Sequence, residues 1–310
     1  MAKLYAVEYL HRFIFVNMYY IVYSFLWLLS LLPLRVLHFL SDCFYVLVFY
    51  VFQYRKEVVI KNMKQAFPHK SEKEITALAK KFYHAFIDSL MESIKLFSAG
   101  QKFIDTHLQL DLSLFDRLAA ENRSCQMHAC HQFNWEYINH GMAAAMKQPL
   151  VAVYMPISNK ALNKIFYDLR TRYGTVMLPA TEMKNKFNAW RTKLHVLALV
   201  ADQNPGNPAN AYWLDFLNKP APFVKGPERY AREKASPVVL AYSRIEKRGY
   251  YSLHFEMLTN DASQLAEGEL TKIYVKRITE IINEQPHNWL WSHRRWKFEW
   301  KEEYGAVLNN

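Results

Sequence analysis

Residues 124–146 read SCQMHACHQFNWEYINHGMAAAM, a strand-like apolar run, a short polar turn and a helix-like run. Such a turn lies at the carboxyl end of a sheet strand, where open α/β sheets usually bind ligands. It contains His131 and, five positions later, Glu136. Because an imidazole can take a proton from a hydroxyl and a carboxylate can hold its tautomer, we predict that His131 is a general base with Glu136 as its partner. The alternative is a structural histidine at a strand end, followed by an exposed glutamate.

The chain after this stretch alternates between short apolar runs and amphipathic runs. Predicted strands lie at 150–154, 175–178, 195–201, 237–243 and 250–257, and predicted helices at 159–173, 181–193, 227–234 and 267–283. This rhythm indicates an α/β fold with a mostly parallel mixed sheet covered by helices. The strand at 195–201 delivers Asp202 and Gln203 to the sheet edge that carries His131. We therefore expect two carboxylates and a histidine to converge at that edge.

The N-terminus is strongly apolar. Residues 13–34 contain no charged side chain, and roughly 20 apolar residues are enough to cross the hydrocarbon core of a bilayer. A second apolar run at 36–52 is interrupted by polar residues and suits an interfacial or hairpin-like helix. Arg55 and Lys56 follow it and favour the cytoplasmic side of a membrane. We predict an N-terminal membrane helix with a cytoplasmic body; the alternative is a buried helical hairpin of a soluble protein.

The segment between this anchor and the α/β region is predicted to be helical, because its apolar residues recur at three- and four-residue spacing. Ser71 and Glu74 have the spacing of a capping box at the start of one helix. We therefore divide the chain into a membrane anchor at 1–54, a helical lead-in at 55–118 and an α/β domain at 119–310.

The chain is basic, with a formal net charge of +11. Such a surface can attract nucleic acid, anionic lipid headgroups or an acidic protein. The three cysteines, Cys43, Cys125 and Cys130, are too few for a disulfide framework and fit a reducing compartment. In a strand, His128 and Cys130 point away from the face of Cys125 and His131, so we predict no metal site.

Two aromatic segments remain after the predicted strands and helices. Residues 204–226 are rich in Pro, Asn and aromatic side chains and are predicted to form a lid, a lipid-facing flap or a long connector. Residues 289–297 interleave Trp with Arg and Lys, which suits a membrane interface, lipid phosphate or single-stranded nucleic acid. The alternative for 289–297 is an aromatic segment packed on the sheet.

Several of these motifs, in this order, resemble the late (secondary) acyltransferases of lipid A biosynthesis, a family similar to lysophospholipid acyltransferases that carries an HxxxxE motif. The matching pieces are His131-x4-Glu136, the strand end at 153–156, Arg170 and Arg172 before Tyr173-Gly174, Asp202-Gln203, Lys225-Gly226-Pro227 and residues 290–297. The resemblance covers essentially the whole chain. Two positions depart from it: Phe133 stands where many members have glycine, and Met155 where many have arginine. The first departure implies a narrower pocket beside the base.

The resemblance implies transfer of an acyl group from acyl carrier protein to a hydroxyl of a lipid A precursor at the cytoplasmic side of the inner membrane. The residues it implies as catalytic are His131, Glu136, Arg170 and Asp202, and those it implies as substrate-binding are Asn134, Arg172, Gln203, Lys225, Arg294 and Arg295. It implies no metal and no dissociable cofactor beyond the acyl-carrying thioester. The implied partners are the carrier protein, the glycolipid and the membrane, without nucleic acid.

Three other functions stay open on the sequence. Water in place of the acceptor would make the enzyme an acyl-thioester hydrolase. The acceptor would differ if another glycolipid or an aminolipid entered the site. A non-catalytic lipid- or nucleic-acid-binding protein would use residues 289–297 and would not depend on His131.

Overall fold

A computed structural model of the chain describes Val16 and residues 18–308, except for the side chain of Lys184. The helices are α1 (Met18–Ser30), α2 (Leu34–Val46), α3 (Lys56–Ala66), α4 (Glu72–Lys95), α5 (Gln101–His107), α6 (Ser113–Ala120), α7 (Trp135–Ala145), α8 (Lys160–Thr171), α9 (Met183–Lys186), α10 (Gly226–Glu233) and α11 (Glu269–Glu284). The strands are β1 (Leu108–Leu110), β2 (Cys125–Ala129), β3 (Leu150–Tyr154), β4 (Val176–Pro179), β5 (Val196–Val200), β6 (Ala211–Phe216), β7 (Lys219–Val224), β8 (Val238–Lys247), β9 (Tyr250–Thr259) and β10 (Val307–Leu308).

The main sheet has seven strands in the order β1-β9-β8-β2-β5-β3-β4. Its neighbouring strands are parallel, except for the antiparallel hairpin of β8 and β9. This confirms the predicted mostly parallel mixed sheet with helices around it. The carboxyl ends of β2 and β5 are adjacent, because Ala129 pairs with Val200.

The predicted segments are joined by shared packing. Strand β1 lies within the segment 55–118 but pairs with β9 of the main sheet, with Leu108 opposite Tyr251. The capping box is confirmed: the Ser71 hydroxyl accepts a hydrogen bond from the Glu74 N–H, and the Glu74 carboxylate accepts one from the Ser71 N–H. One hydrophobic core includes residues of α3, α4, the main sheet and α11.

The aromatic segment at 204–226 is a hairpin rather than a lid, a flap or an irregular connector. Strands β6 and β7 are antiparallel, and β10 pairs with β6 to complete a three-stranded sheet. The side chains of Trp213, Phe216 and Phe223 are buried. Pro220 and Pro222 argued against a strand in the sequence, because a proline cannot donate a backbone hydrogen bond. They lie on β7, an edge strand, where a missing N–H is tolerated.

The apolar N-terminus folds differently from the prediction of one long span at 13–34. Residues 13–15 and 17 of that run lie outside the described residues, and helix α1 ends at Ser30. Pro33 then precedes α2 and separates the two helices. A proline has no N–H to donate, so it is tolerated at the start of a helix but not in its interior. Helix α2 continues as a π-helical turn at Leu47–Val51, so the helix long enough to cross a bilayer is Leu34–Val51.

This helix lies lengthwise against α4. From its start to its end, the contacts are His38 with Glu92 (2.9 Å), Ser41 with Asp88 (2.6 Å), the rings of Tyr45 and His84 (centroids 3.6 Å apart) and those of Phe49 and Tyr83 (5.3 Å). One face of α2 is therefore covered by the body of the protein along its whole length. The opposite face is apolar and exposed, as at Phe39.

The buried carboxylate of Glu92 joins this N-terminal helix to the rest of the fold. It accepts hydrogen bonds from the hydroxyl of Tyr251 (2.6 Å) and the side-chain amide of Asn134 (3.2 Å), and it contacts His38 Nε2. Burying a carboxylate is costly unless several donors satisfy its oxygens, so these contacts are interdependent. They connect α2, α4, β9 and the start of α7.

Candidate active site

His131 and Asp202 form the centre of the site. Each lies two residues beyond the end of its strand, β2 and β5 respectively, and the parallel pairing of these strands brings the two side chains together. Asp202 Oδ1 lies 2.5 Å from His131 Nδ1, and Asp202 Oδ2 accepts the His131 backbone N–H at 2.9 Å. The carboxylate partner of the imidazole is therefore Asp202, which corrects the prediction of a His131–Glu136 pair.

Asp202 is buried and strongly held in its charged form. Burial acts to raise its pKa, but the electrostatic effect of His131 and the hydrogen bonds from His131 and Trp289 outweigh it and lower the pKa to about 2. The charged carboxylate accepts a hydrogen bond from the Nδ1–H group, which fixes the ring tautomer. His131 Nε2 is then the unprotonated nitrogen that can act as a base, and the Gln203 amide lies 3.1 Å from it.

Trp289 is a site residue that the sequence analysis did not identify. Its indole N–H donates to Asp202 Oδ2 at 2.7 Å, and the next residue, Leu290, donates its backbone N–H to the His131 carbonyl at 3.0 Å. Trp289 and Trp291 are buried, so the interpretation of 289–297 as an interfacial or nucleic-acid surface is wrong for these two side chains. The available signal was the tryptophan itself, since an indole N–H needs an acceptor when it is buried.

Glu136 is paired with Arg170. Arg170 Nε lies 3.1 Å from both carboxylate oxygens, Nη2 lies 2.5 Å from Oε1, and the Trp135 indole donates to the same oxygen at 3.1 Å. Burial acts to lower the pKa of Arg170, but the charge of Glu136 outweighs it and raises that pKa. Among the described residues, Glu136 makes no hydrogen bond to His131.

A cavity of about 640 Å³ opens beside these groups. Its polar end is lined by His131, Gln203, Glu136 and Arg170, and its apolar part lies between the main sheet and α7. Four neighbouring strands each contribute a small side chain to its wall: Ala129, Ala152, Ala198 and Ala241. Because alanine leaves room where larger core residues would fill the space, the sheet holds open an apolar pocket below the histidine, of a size typical for ligand sites.

Three of the predicted substrate-binding residues have structural contacts. Asn134 is buried, accepts hydrogen bonds from the first N–H groups of α7 and donates to Glu92. Arg172 donates to the carbonyls of Leu96 (2.7 Å) and Phe97 (3.0 Å) at the end of α4. Asn134 is therefore a structural residue at the start of α7, and the substrate contact predicted for Arg172 stays a prediction.

Arg295 is the third of these residues. It is fully buried, donates to Asn204 Oδ1 at 2.7 Å and to the Pro222 carbonyl at 2.8 Å, and lies over the ring of Phe223. Burial, the largest effect on this group, lowers the pKa of Arg295 to about 10. It therefore supports the β6–β7 hairpin and does not reach a lipid phosphate. Arg294 is exposed outside the cavity, and its role stays a prediction.

The lowered pKa of Asp202 predicts a specific acid sensitivity. Its folded-state pKa of about 2 lies below the ordinary value of 3.8, so its stabilising contribution is present above about pH 4 and is lost as the pH falls towards 2. The shift corresponds to about 2 kcal/mol. In urea unfolding followed between pH 7 and 2, we expect the Asp202→Asn variant to lose less stability across this window than the wild type. The exposed Asp105→Asn variant is the control and should lose as much stability as the wild type. An equal loss of stability in all three proteins would show that folding does not lower the pKa of Asp202.

Comparison with known proteins gives the family. The sequence matches the family described as "Bacterial lipid A biosynthesis acyltransferase" over residues 5–298. It is 23% identical over 278 residues to the "Lipid A biosynthesis palmitoleoyltransferase" of Escherichia coli (strain K12), with 88% of each chain covered. It is 23% identical over 277 residues to the "Lipid A biosynthesis lauroyltransferase" of the same organism, covering 88% of this chain and 89% of that one. The chain therefore belongs to the bacterial lipid A biosynthesis acyltransferase family and is an acyltransferase.

Proposed function

We propose that this enzyme transfers a fatty acyl chain from the thioester of acyl carrier protein to a hydroxyl of a lipid A precursor. The observation that carries the proposal is the His131–Asp202 pair, in which His131 Nε2, beside the Gln203 amide, lies at the polar end of a large apolar cavity. A base at the mouth of a pocket suited to an alkyl chain is what acyl transfer to a hydroxyl needs. Family membership supports the reaction class.

In the proposed mechanism, His131 Nε2 removes the proton of the acceptor hydroxyl, and the charge of Asp202 stabilises the imidazolium that forms. The alkoxide attacks the thioester carbonyl, and the tetrahedral intermediate collapses with breakage of the carbon–sulfur bond. The imidazolium then returns its proton to the leaving thiolate. No residue of the enzyme is acylated at any step.

Arg170 is the proposed donor to the oxyanion. Glu136 engages its Nε and Nη2 groups, whereas its Nη1 makes no hydrogen bond to a described residue. Arg170 also lines the cavity, so this remaining group is available to the substrate. One preorganised donor to an oxyanion contributes about 3 kcal/mol to the barrier reduction. Glu136 therefore acts as a positioning residue for Arg170 rather than as the partner of the base.

The test of the reaction is an assay of the detergent-purified full chain with an acyl carrier protein thioester and a tetra-acylated lipid A precursor, followed by mass spectrometry of the lipid. We expect the lipid to gain the mass of one acyl chain, and His131→Ala to lower the rate by about 10²–10⁴-fold because the general base is lost. An exposed His69→Ala variant is the matched control. Free fatty acid as the sole product would favour a hydrolase, and unchanged transfer by His131→Ala would rule out the assigned base.

The apolar cavity supports a second prediction, on chain length. Ala152 and Ala198 pair across β3 and β5, one row below the polar end, so a larger side chain there would shorten the pocket. We expect Ala198→Leu to shift the preference towards acyl donors that are shorter by several carbons, measured in competition between donors of different length. Ala120→Leu, at an exposed position of α6, is the control. An unchanged preference in an active Ala198→Leu enzyme would place the acyl chain elsewhere.

We propose that the enzyme binds the cytoplasmic face of the inner membrane through α1 and α2. Phe25, Phe39 and Phe52 are 63%, 65% and 71% exposed, and such apolar surface is unusual on a soluble protein. Met155, which lines the cavity, is 69% exposed, so the mouth of the cavity is apolar as well.

The face of α4 that packs against α2 carries Glu92 and Asp88, and moving these carboxylates into hydrocarbon together with α2 would cost a large amount of free energy. We therefore expect α2 to lie along the membrane surface and not to cross it.

Cysteine labelling tests this arrangement. In a Cys43→Ser background, Leu31→Cys and Gln53→Cys mark the two ends of α2. If α2 lies along the cytoplasmic surface, a membrane-impermeant maleimide should label both positions in inside-out vesicles and neither in intact spheroplasts. Labelling of either position from the periplasmic side would mean that α2 crosses the bilayer.

A further inference from the structure

A second cavity, of about 570 Å³, lies beside the catalytic one. Val224 lines both cavities, so they share a wall. Three cations line the second cavity, Lys225, Arg229 and Arg232, against one carboxylate, Glu267. The cavity is therefore positively charged, and the reaction mechanism does not use it.

Two of the three cations in this cavity, Lys225 and Arg232, contact neutral groups. Lys225 Nζ lies 4.7 Å from the centroid of the Tyr212 ring, and Arg232 Nε donates to the Leu265 carbonyl at 3.1 Å. Among the described residues, neither of these two cations forms an ion pair. A neutral ring and a neutral carbonyl leave both positive charges available to a ligand.

The remaining charges do not change this balance. Arg229 lies 3.8 Å from Glu233, but both side chains are largely exposed, so the pair is weak. The Glu267 carboxylate accepts a hydrogen bond from the Tyr212 hydroxyl at 3.0 Å. A negatively charged ligand here would pair with Lys225 and Arg232, whose contacts among the described residues are a neutral ring and a neutral carbonyl.

The position of the cavity connects it to the reaction centre. Its wall includes Pro205 and Gly206, which follow Gln203 in the loop after β5, and the Gln203 amide lies 3.1 Å from His131 Nε2. A ligand anchored in the second cavity is thus separated from the base by one short loop. Val224 forms part of the wall between the two cavities.

We propose that Lys225, Arg229 and Arg232 bind a phosphate ester carried by one of the two substrates. Guanidinium groups recognise phosphate oxygens with paired N–H donors, and an ammonium adds a compact charge. The proposal rests on the proposed function, which supplies two sources of this chemistry: the phosphodiester of the carrier protein's prosthetic arm, and a phosphate on the sugar of the acceptor lipid. The predicted substrate contact of Lys225 is thereby assigned a ligand.

Kinetics on the full chain test the site and distinguish the sources. We expect Lys225→Ala and Arg229→Ala each to raise the KM for one substrate about tenfold with little change in kcat, and Lys225→Arg to restore it. A raised KM for the carrier protein thioester identifies the phosphodiester, and a raised KM for the lipid identifies the sugar phosphate. Lys276→Ala, at an exposed position of α11, is the matched control. KM values for both substrates equal to those of this control would overturn the proposal.

A binding measurement separates this proposal from the proposed reaction. Inorganic pyrophosphate titrated into the His131→Ala protein by calorimetry at low salt should bind, and the added Lys225→Ala and Arg229→Ala substitutions should abolish that binding. Pyrophosphate binding without any acyl transfer by the wild type would support the site while contradicting the reaction. Transfer by the wild type without pyrophosphate binding, and with unchanged KM values in the variants, would contradict the site alone.

Discussion

The buried carboxylate of Asp202 is the group on which the site depends. It accepts the backbone N–H and the ring N–H of His131 and the indole N–H of Trp289, and these donors come from two separate parts of the chain. A buried charge is tolerated only when such donors are all in place, so the ends of β2 and β5 and the segment after α11 are held in one arrangement. The same contacts fix the tautomer of His131, the proposed base. The hydrogen bonds to Asp202 therefore both stabilise this part of the fold and orient His131 for its proposed reaction.

A second buried carboxylate, Glu92, has a corresponding role between α2 and the site. Glu92 receives hydrogen bonds from Tyr251 and from Asn134, the residue that caps α7, and it contacts His38 on α2. Helix α7 carries Glu136, which orients Arg170. Helix α2, proposed to lie on the lipid, is thus connected through Glu92, Asn134 and Glu136 to Arg170, the group proposed to stabilise the oxyanion. In the proposed function, the surface that binds the membrane is thereby connected to the group that aligns Arg170.

Glu136 and Asp202 have different partners in the structure, and the spacing of residues in the sequence did not predict which of them pairs with His131. The spacing from His131 to Glu136 suggested a pair, because residues of one turn are close in sequence. In the fold, the start of α7 turns Glu136 towards α8, where Arg170 satisfies it, while β5 supplies Asp202 from 71 positions away. Asp202 was predicted to reach the same sheet edge, but sequence could not rank the two acids. Ranking them required the register of β2 against β5.

The sequence by itself determined the alternation of strands and helices, the capping box of α4, the apolar N-terminus and the placement of His131 and Asp202 at the carboxyl edge of a parallel sheet. These features follow from periodicity and from local hydrogen bonding, which act over a few residues. Only the tertiary structure decided that Trp289 holds Asp202, that Arg295 is buried beneath the β6–β7 hairpin and that α2 packs lengthwise on α4. Each of these is a contact between segments that are distant in the sequence. A polar group buried on folding needs a hydrogen-bond partner, and only the fold shows which partner is near.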